Sequence, residues 1–297
     1  MNIGFFADGP WSHESIKKIL NDKKFKIKFI VARYKNPDLV LKKFADLNKI
    51  DFYIFKDINS KKTLDLLSSY NADLHVSMSF NQIIKKDLMR TPPKGFINCH
   101  AGALPFYRGR NILNWVLING EKEFGVTVHY IDEGIDTGDI ILQKKYSISK
   151  KDDYRSLLNR SYIYCSNLLL ESLNLIYFDK VERINQSSID PIGSYCRRRV
   201  SGDELINWNC ESESIFNFIR GITSPGPGAR SFFKNKEIII FESKMLEDNY
   251  KKNKIPGTII DKLDNNLVVQ TKNSILLINK YFIDKKDTPI EIGDKLE

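Results

Sequence analysis

Cysteine is scarce in this 297-residue chain, and its four copies, Cys99, Cys165, Cys196 and Cys210, form neither a CxxC pair nor a zinc-type spacing. That excludes a structural metal centre of the usual kind, so no metal is expected. A chain of this length buries a core without disulfides, and reduced thiols in a cytoplasmic protein are the simplest reading. No window approaches the ~18 uninterrupted apolar residues of a membrane-spanning helix. The opening MNIGFFADGP has no charged n-region and no long apolar h-region, so it reads as a first strand and not as a secretory signal. Internal repeats and low-complexity tracts are missing. So are two phosphate cradles: the turn after the first strand reads ADGPWSH, not G-x-G-x-x-G, and no G-x-x-x-x-G-K-[ST] occurs. NAD, FAD and ATP lose their usual binding loops.

Positive charge is in surplus, at a formal +9. Residues 1–204 hold 32 Lys and Arg against 24 Asp and Glu, whereas residues 205–297 hold 14 against 13. Such a surplus suits a phosphorylated or polyanionic partner, and equally a Lys-rich, Asn-rich composition with no such meaning.

Strand-like and helix-like segments alternate through the first half. NIGFFA, FKIKFIVARY, FYIF, ADLHVSMS and GFINCH read as strands. SHESIKKILND, with Ser12 as its cap, PDLVLKKFADLN, starting at Pro37, and SKKTLDLLSSY read as helices between them. This order predicts an α/β fold, a Rossmann-like doubly wound and mostly parallel sheet. RNILNWVLING, closed by Gly120, is a further helix, EFGVTVHYID and GDIILQKKYSIS are strands, and residues 152–178 form a long amphipathic helix. Near residue 190 the chain turns polar. After the helix SESIFNFIRGI and the break SPGPGAR come short strand candidates, SFFK, EIIIFESKML, PGTIIDKL, NLVVQTK and SILLINKYFI, which suggest a small OB-like β-barrel. The expected organisation is a catalytic domain over 1–189, a linker over 190–204 and a barrel domain over 205–297.

In open α/β sheets the site lies at the carboxyl ends of the strands. There FINCHAGALPFYRGR places Asn98 and His100 two residues apart at a strand end, so both project from one face. An imidazole exchanges protons near neutral pH, and a carboxamide donates to a developing oxyanion without titrating. A turn containing Leu104-Pro105 and Arg108-Gly109-Arg110 follows and is expected to gather guanidinium groups beside the histidine. Taken alone, N-x-H on a strand is also an ordinary packing pattern. DEGIDTGD, Asp132 to Asp139, is a glycine-punctuated acidic loop. It departs from a calcium loop, because Gly134 stands at a ligand position and Thr137 where the glycine belongs. It reads either as a surface turn or as the source of a carboxylate that orients His100 and favours its charged form. His13, His75 and His129 show no such neighbourhood, and His129 reads as structural. Trp115 and Trp208 read as core or interface residues. Arg197-Arg198-Arg199 reads as a solvated face or, alternatively, a phosphate contact.

NCHAGALPFYRGR, NWVLING, GVTVHYIDEGIDTGDI and SPGPGAR resemble the N10-formyltetrahydrofolate-dependent formyltransferases. That family includes methionyl-tRNA formyltransferase, the formyltransferase domain of the bifunctional polymyxin-resistance enzyme and the sugar N-formyltransferases. The family pattern is N-x-H, then L-P-x-Y-R-G, then an Asp 36 residues past the His, as Asp136 is past His100. The resemblance covers essentially the whole chain. One departure is HAGALP, where many members carry H-P-S-L-L-P or H-G-S-L-L-P; Ala101, Gly102 and Ala103 make this stretch smaller.

The resemblance implies catalysis by Asn98, His100 and Asp136. It also implies a folate site built from Gln82, Ile83, Ile84, Arg110 and Asp132, Glu133, Gly134, Ile135 and Asp136. The implied formyl donor is N10-formyltetrahydrofolate. For the acceptor it points to a nucleotide-linked amino sugar, a 4-amino-4-deoxy or 4-amino-4,6-dideoxy sugar on dTDP or UDP, formylated for surface polysaccharide or lipopolysaccharide synthesis. The near-neutral C-terminal segment and the lack of a basic insertion after RGR count against nucleic acid. Methionyl-tRNA formyltransferase is the alternative, and a non-catalytic nucleic-acid-binding module a more distant one. The oligomeric state is left open, a homodimer included.

Overall fold

The computed structural model describes residues 1–246, 255–283 and 289–297. The expected alternation appears as β1 (Asn2–Ala7), α1 (Gly9–Leu20), β2 (Lys26–Ala32), α2 (Leu39–Asn48), β3 (Asp51–Ile54), α3 (Lys61–Ser68), β4 (Leu74–Met78), α4 (Lys86–Met89) and β5 (Phe96–His100). There follow β6 (Arg108–Gly109), α5 (Ile112–Ile118), β7 (Glu123–Tyr130), β8 (Ile140–Ser147), α6 (Tyr154–Tyr177) and β9 (Tyr195–Cys196). Last come α7 (Ser212–Ile222) and the strands β10 (Ala229–Phe233), β11 (Lys236–Met245), β12 (Ile259–Leu263), β13 (Asn266–Gln270) and β14 (Ile275–Ile283). No helix among the described residues is long and apolar enough to cross a membrane.

The chain divides into two compact units that interleave in sequence. The first comprises Met1–Gly109, Phe124–Tyr146 and Asn159–Cys196; the second comprises Arg110–Glu123, Ser147–Leu158 and Arg197–Glu297. The segment 190–204, read as a connector, contains β9, which pairs in parallel with β6 inside the first unit.

The first unit holds a seven-stranded sheet of order β3-β2-β1-β4-β5-β7-β8. β1 is buried without interruption from Ile3 to Ala7, which is why it reads as a continuous apolar run and not as an alternating one. β1–β2, β1–β4, β2–β3 and β4–β5 are parallel, and β5–β7 is antiparallel. Phe6, Phe29, Val31, Leu67, Ile84, Leu88 and Phe96 pack one face into a core. The carboxyl ends of β1, β4 and β5 therefore share one edge, and β5 ends on His100.

Two expected helix starts move. Pro10 lies in the first turn of α1, so the helix begins at Gly9 after Asp8, and Ser12 is internal. The Ser12 hydroxyl is buried and donates to the carbonyls of Asp8 and Met78. In α2 the cap is Asp38, whose carboxylate accepts from the Val40 N–H, with Pro37 one residue earlier.

In the second unit the strand candidates form a five-stranded antiparallel sheet of order β10-β11-β14-β13-β12. Its core joins Ile215, Ile219 and Ile222 of α7 to Phe233, Ile238, Ile240, Leu276 and Ile278. Trp208 is buried there, and its indole N–H donates to the Ser231 hydroxyl at 2.9 Å.

Candidate active site

The period of two along β5 brings Asn98 and His100 to one face, and the β7–β8 loop brings Asp136 to His100. The His100 Nδ1 lies 3.6 Å from the Asp136 Oδ2, and its Nε2 lies 2.7 Å from the Tyr107 carbonyl oxygen. A carbonyl only accepts, so Nε2 carries the hydrogen and Nδ1 is the end that faces the carboxylate. Nε2 is thus committed, Nδ1 lies beyond hydrogen-bond distance of the carboxylate, and His100 is 8% exposed. Asp136 is held from the other side by the Gly109 N–H, which donates to its Oδ2 at 2.9 Å. Burial works to raise the Asp136 pKa. The neighbouring His100, the His129 imidazole and the Gly109 N–H outweigh it and hold the carboxyl well below the usual range.

Backbone strain collects at this point. Tyr107 and Asp136 are non-glycine residues in the left-handed region, with φ of +57° and +55°, a conformation that persists only where surrounding contacts enforce it. Here the enforcing contacts are visible. Gln186, 2% exposed, donates through Nε2 to the carbonyls of Asp136 and Gly138 at 2.8 Å each. Its Oε1 accepts from Nε and Nη2 of Arg108.

That network corrects the expectation for Arg108. The guanidinium is buried, and its remaining contacts go to the Ile192 carbonyl and the Tyr195 hydroxyl. It ties β6 to the 186–195 segment and does not gather beside His100. Gln186 carried no motif in the sequence; its role depends on three segments far apart in the chain. Arg110 is exposed and belongs to the second unit.

The small residues after His100 have a steric reason. A Cβ on Gly102 would stand 2.5 Å from the His100 Nε2 and 2.6 Å from the Tyr107 carbonyl oxygen, on the hydrogen bond between them. Ala103 abuts Gly125, where an added Cβ would meet it at 2.5 Å. Thr127 donates to the Gly102 carbonyl at 2.6 Å, and Gln143 donates to the Leu104 carbonyl and to Thr127. The turn containing the cis Leu104–Pro105 bond is pinned against β7.

The residues expected to hold folate fall on two neighbouring strips. In the first, Gln82 spends its side chain on the Ile58 N–H and the Phe55 carbonyl. Ile84 is buried in the core, whereas Ile83 is 77% exposed. Asn59 clamps this backbone, donating to the Ile83 carbonyl and accepting from the Lys85 N–H. In the second strip, Asp132 Oδ1 accepts from the Gly134 N–H and the Thr137 hydroxyl, and Ile135 is 61% exposed. Lys86 joins the strips through an ion pair with Glu133 at 3.0 Å and holds that carboxyl below its ordinary range. Ile83 and Ile135 are large apolar side chains left open beside a polar centre, as in a site that receives a partly apolar ligand.

Two of the three histidines expected to lack such neighbours have them. His13 Nε2 lies 2.6 Å from the Asp38 carboxylate. His129, 2% exposed, stands between Asn98 and Asp136: its Nε2 is 3.2 Å from the Asn98 Nδ2 and 3.5 Å from the Asp136 Oδ1. The alternation in GVTVHYID held the clue, since Gly125, Thr127 and His129 share one face of β7, and Gly125 and Thr127 already touch the turn after His100. In the second unit, Arg197 forms a two-pronged pair with Asp203 at 2.6 and 2.7 Å. Arg197 and Arg199 flank the Trp115 ring at 5.4 and 5.7 Å.

Residues 16–173 match the Formyl transferase family, and residues 200–291 match the Formyl transferase C-terminal domain. The chain is 37% identical over 238 residues to the bifunctional polymyxin resistance protein ArnA of Wigglesworthia glossinidia brevipalpis. That match covers 80% of this chain but only 35% of ArnA, so the chain spans about a third of that relative's length. It is 32% identical over 306 residues to the methionyl-tRNA formyltransferase of Clostridium beijerinckii, covering 98% of this chain and 95% of that one. Among solved structures, it aligns with WlaRD, a sugar 3N-formyl transferase crystallised in the presence of dTDP and 5-N-formyl-THF. The TM-score is 0.70 at 22% identity, over 97% of this chain and 99% of that one.

Proposed function

The chain belongs to the formyl transferase family, and we propose that it moves a formyl group from N10-formyltetrahydrofolate to the amine of a nucleotide-linked amino sugar. The observation that carries the reading is the convergence of a carboxamide, an imidazole and a carboxylate, Asn98, His100 and Asp136, at the carboxyl edge of the sheet. In this reading the acceptor amine attacks the formyl carbon, and Asn98 donates an amide N–H to the oxyanion that develops. His100 takes the amine proton at Nδ1, the nitrogen that faces Asp136, so the imidazolium forms against a carboxylate already charged. The new N–C bond forms as the bond to N10 breaks, and N10 leaves as the amine of tetrahydrofolate. The strips at Gln82–Ile84 and Asp132–Asp136, with exposed Ile83 and Ile135, receive the folate.

The sugar acceptor is supported by the fold shared with a sugar 3N-formyl transferase and by the near-neutral charge of residues 205–297, which offers little to a phosphate backbone. A dTDP or UDP carrier and a 4-amino sugar for surface polysaccharide follow from the same reading. Methionyl-tRNA is the second acceptor to test, because methionyl-tRNA formyltransferases recur among the relatives and one of them aligns along nearly its whole length. The deciding experiment incubates the protein and N10-formyltetrahydrofolate with dTDP-, UDP- and GDP-linked amino sugars, and with methionyl-tRNA alongside. Mass spectrometry reads the gain of one formyl group. Formylation of a nucleotide sugar supports the proposal; formylation of the tRNA alone replaces the acceptor; no transfer to any of them, with an intact fold, rejects it.

A further inference from the structure

We infer that His129 is a positioning residue that fixes which end of the Asn98 carboxamide faces its ring, an inference that rests on the formyl-transfer reading above. Asn98 and His129 are direct cross-strand partners in the β5–β7 pairing, so their contact follows from the register of the sheet. The His129 Nδ1 lies 2.8 Å from the Tyr130 carbonyl oxygen. That oxygen can only accept, so Nδ1 carries the hydrogen and the neutral ring keeps its lone pair on Nε2. A lone pair at Nε2 calls for a donor, and Asn98 meets it with Nδ2 at 3.2 Å.

The relay runs from the Tyr130 carbonyl through His129 to Asn98, and it holds the amide nitrogen against Nε2, the closer of the two contacts of that atom, Asp136 Oδ1 lying at 3.5 Å. One Nδ2 hydrogen is committed to His129, and the second remains for an oxyanion. A flip of the carboxamide would set its oxygen against the Nε2 lone pair and turn an acceptor toward the developing negative charge. Oxygen and nitrogen of a carboxamide have nearly the same shape, so packing alone does not choose between the two orientations. The polarity of His129 does.

The test compares His129→Phe, which keeps a flat ring without an acceptor, with His129→Gln, whose Oε1 can accept from Asn98. With the acceptor identified by the panel above, His129→Phe lowers kcat by about 10- to 100-fold, less than outright loss of an oxyanion donor, and changes KM for the formyl donor by under about threefold. His129→Gln recovers to within about fivefold of the parent. An unchanged His129→Phe enzyme, or equal losses in both variants, overturns the inference. A second readout is independent of turnover. In protein labelled with 15N-histidine, the ring signal that vanishes in His129→Gln shows the Nδ1–H tautomer, and Asn98→Leu shifts its Nε2 resonance. An Nε2–H tautomer sinks the positioning role even if formyl transfer is robust. The expected tautomer without transfer to any acceptor sinks the formyl-transfer reading and leaves the hold on Asn98 standing.

Discussion

β4 and β5 each carry one histidine, at opposite ends of the sheet. His75, near the start of β4, is 1% exposed and surrounded by the rings of Phe6, Phe29 and Phe96 at 5.4, 5.5 and 5.2 Å. Its Nδ1 has no hydrogen-bond partner among the described residues, and burial pulls its pKa down to about 3. His100, at the end of β5, is 8% exposed, yet its Nε2 is held by a backbone carbonyl and its Nδ1 faces a carboxylate. The two rings are nearly equally buried. Burial alone therefore does not decide what an imidazole does. His75 has lost water and found no partner for Nδ1, so it stays neutral and packs among the three phenylalanine rings. His100 has exchanged water for a carbonyl that orients it and a carboxylate set beside its other nitrogen.

The sharpest way to break this comparison is to remove each ring in turn. His100→Ala is expected to cut formyl transfer by about 10²- to 10⁴-fold while leaving the far-UV circular dichroism unchanged; a fully active variant would show that the polar end of the sheet carries no chemistry. Gly102→Ala tests whether the orientation of His100 matters apart from its presence. The new Cβ lands on the contact between the ring and the Tyr107 carbonyl. The expected outcome is a loss of about 10- to 100-fold in kcat, with about 1–3 kcal/mol lost from urea unfolding, the usual range for overpacking. Parental kcat would mean that the ring orientation is dispensable.

The smallest effect belongs to His75. Its folded pKa is depressed from the ordinary 6.5, so below pH 6.5 the unfolded chain binds a proton that the folded protein refuses. Stability then falls as the pH drops from 6.5 toward about 3, by at most roughly 1.4 kcal/mol per pH unit. Asp136 has the opposite charge type and a depressed pKa, so its contribution is present above the ordinary 3.8 and is lost only below it. Between pH 7 and pH 5 the two do not overlap. Urea unfolding is expected to show the parent losing about 2 kcal/mol relative to His75→Phe over that interval. A constant difference between the two proteins would mean that the caged ring titrates normally.

Much of this was legible before any coordinates. The alternation of apolar runs with amphipathic stretches gave the parallel sheet, because each pattern has its own period. The same period placed Asn98 and His100 on one face. Asp136 came from a spacing known in a family; nothing in the loop itself distinguished a carboxylate for His100 from a surface turn. Three misreadings share a cause. Arg108 was assigned by nearness in sequence, and its partners turned out to be Gln186, Ile192 and Tyr195. His129 was read as structural because it alternates within a strand, and its neighbours arrive from β5 and the β7–β8 loop. Ser12 was assigned as a cap from residue type, and Pro10 started the helix one turn earlier.

The amino-acid sequence by itself determined which groups could do chemistry and which face of its own strand each would occupy, because backbone periodicity is a local property. Only the tertiary structure decided that Asn98 meets His129 and that Asp136 stands between two imidazoles. Those contacts depend on the antiparallel register of β5 with β7 and on a loop held by Gln186 from some fifty residues away. Contacts of that kind come from many segments packing together, and no short window of the chain contains them.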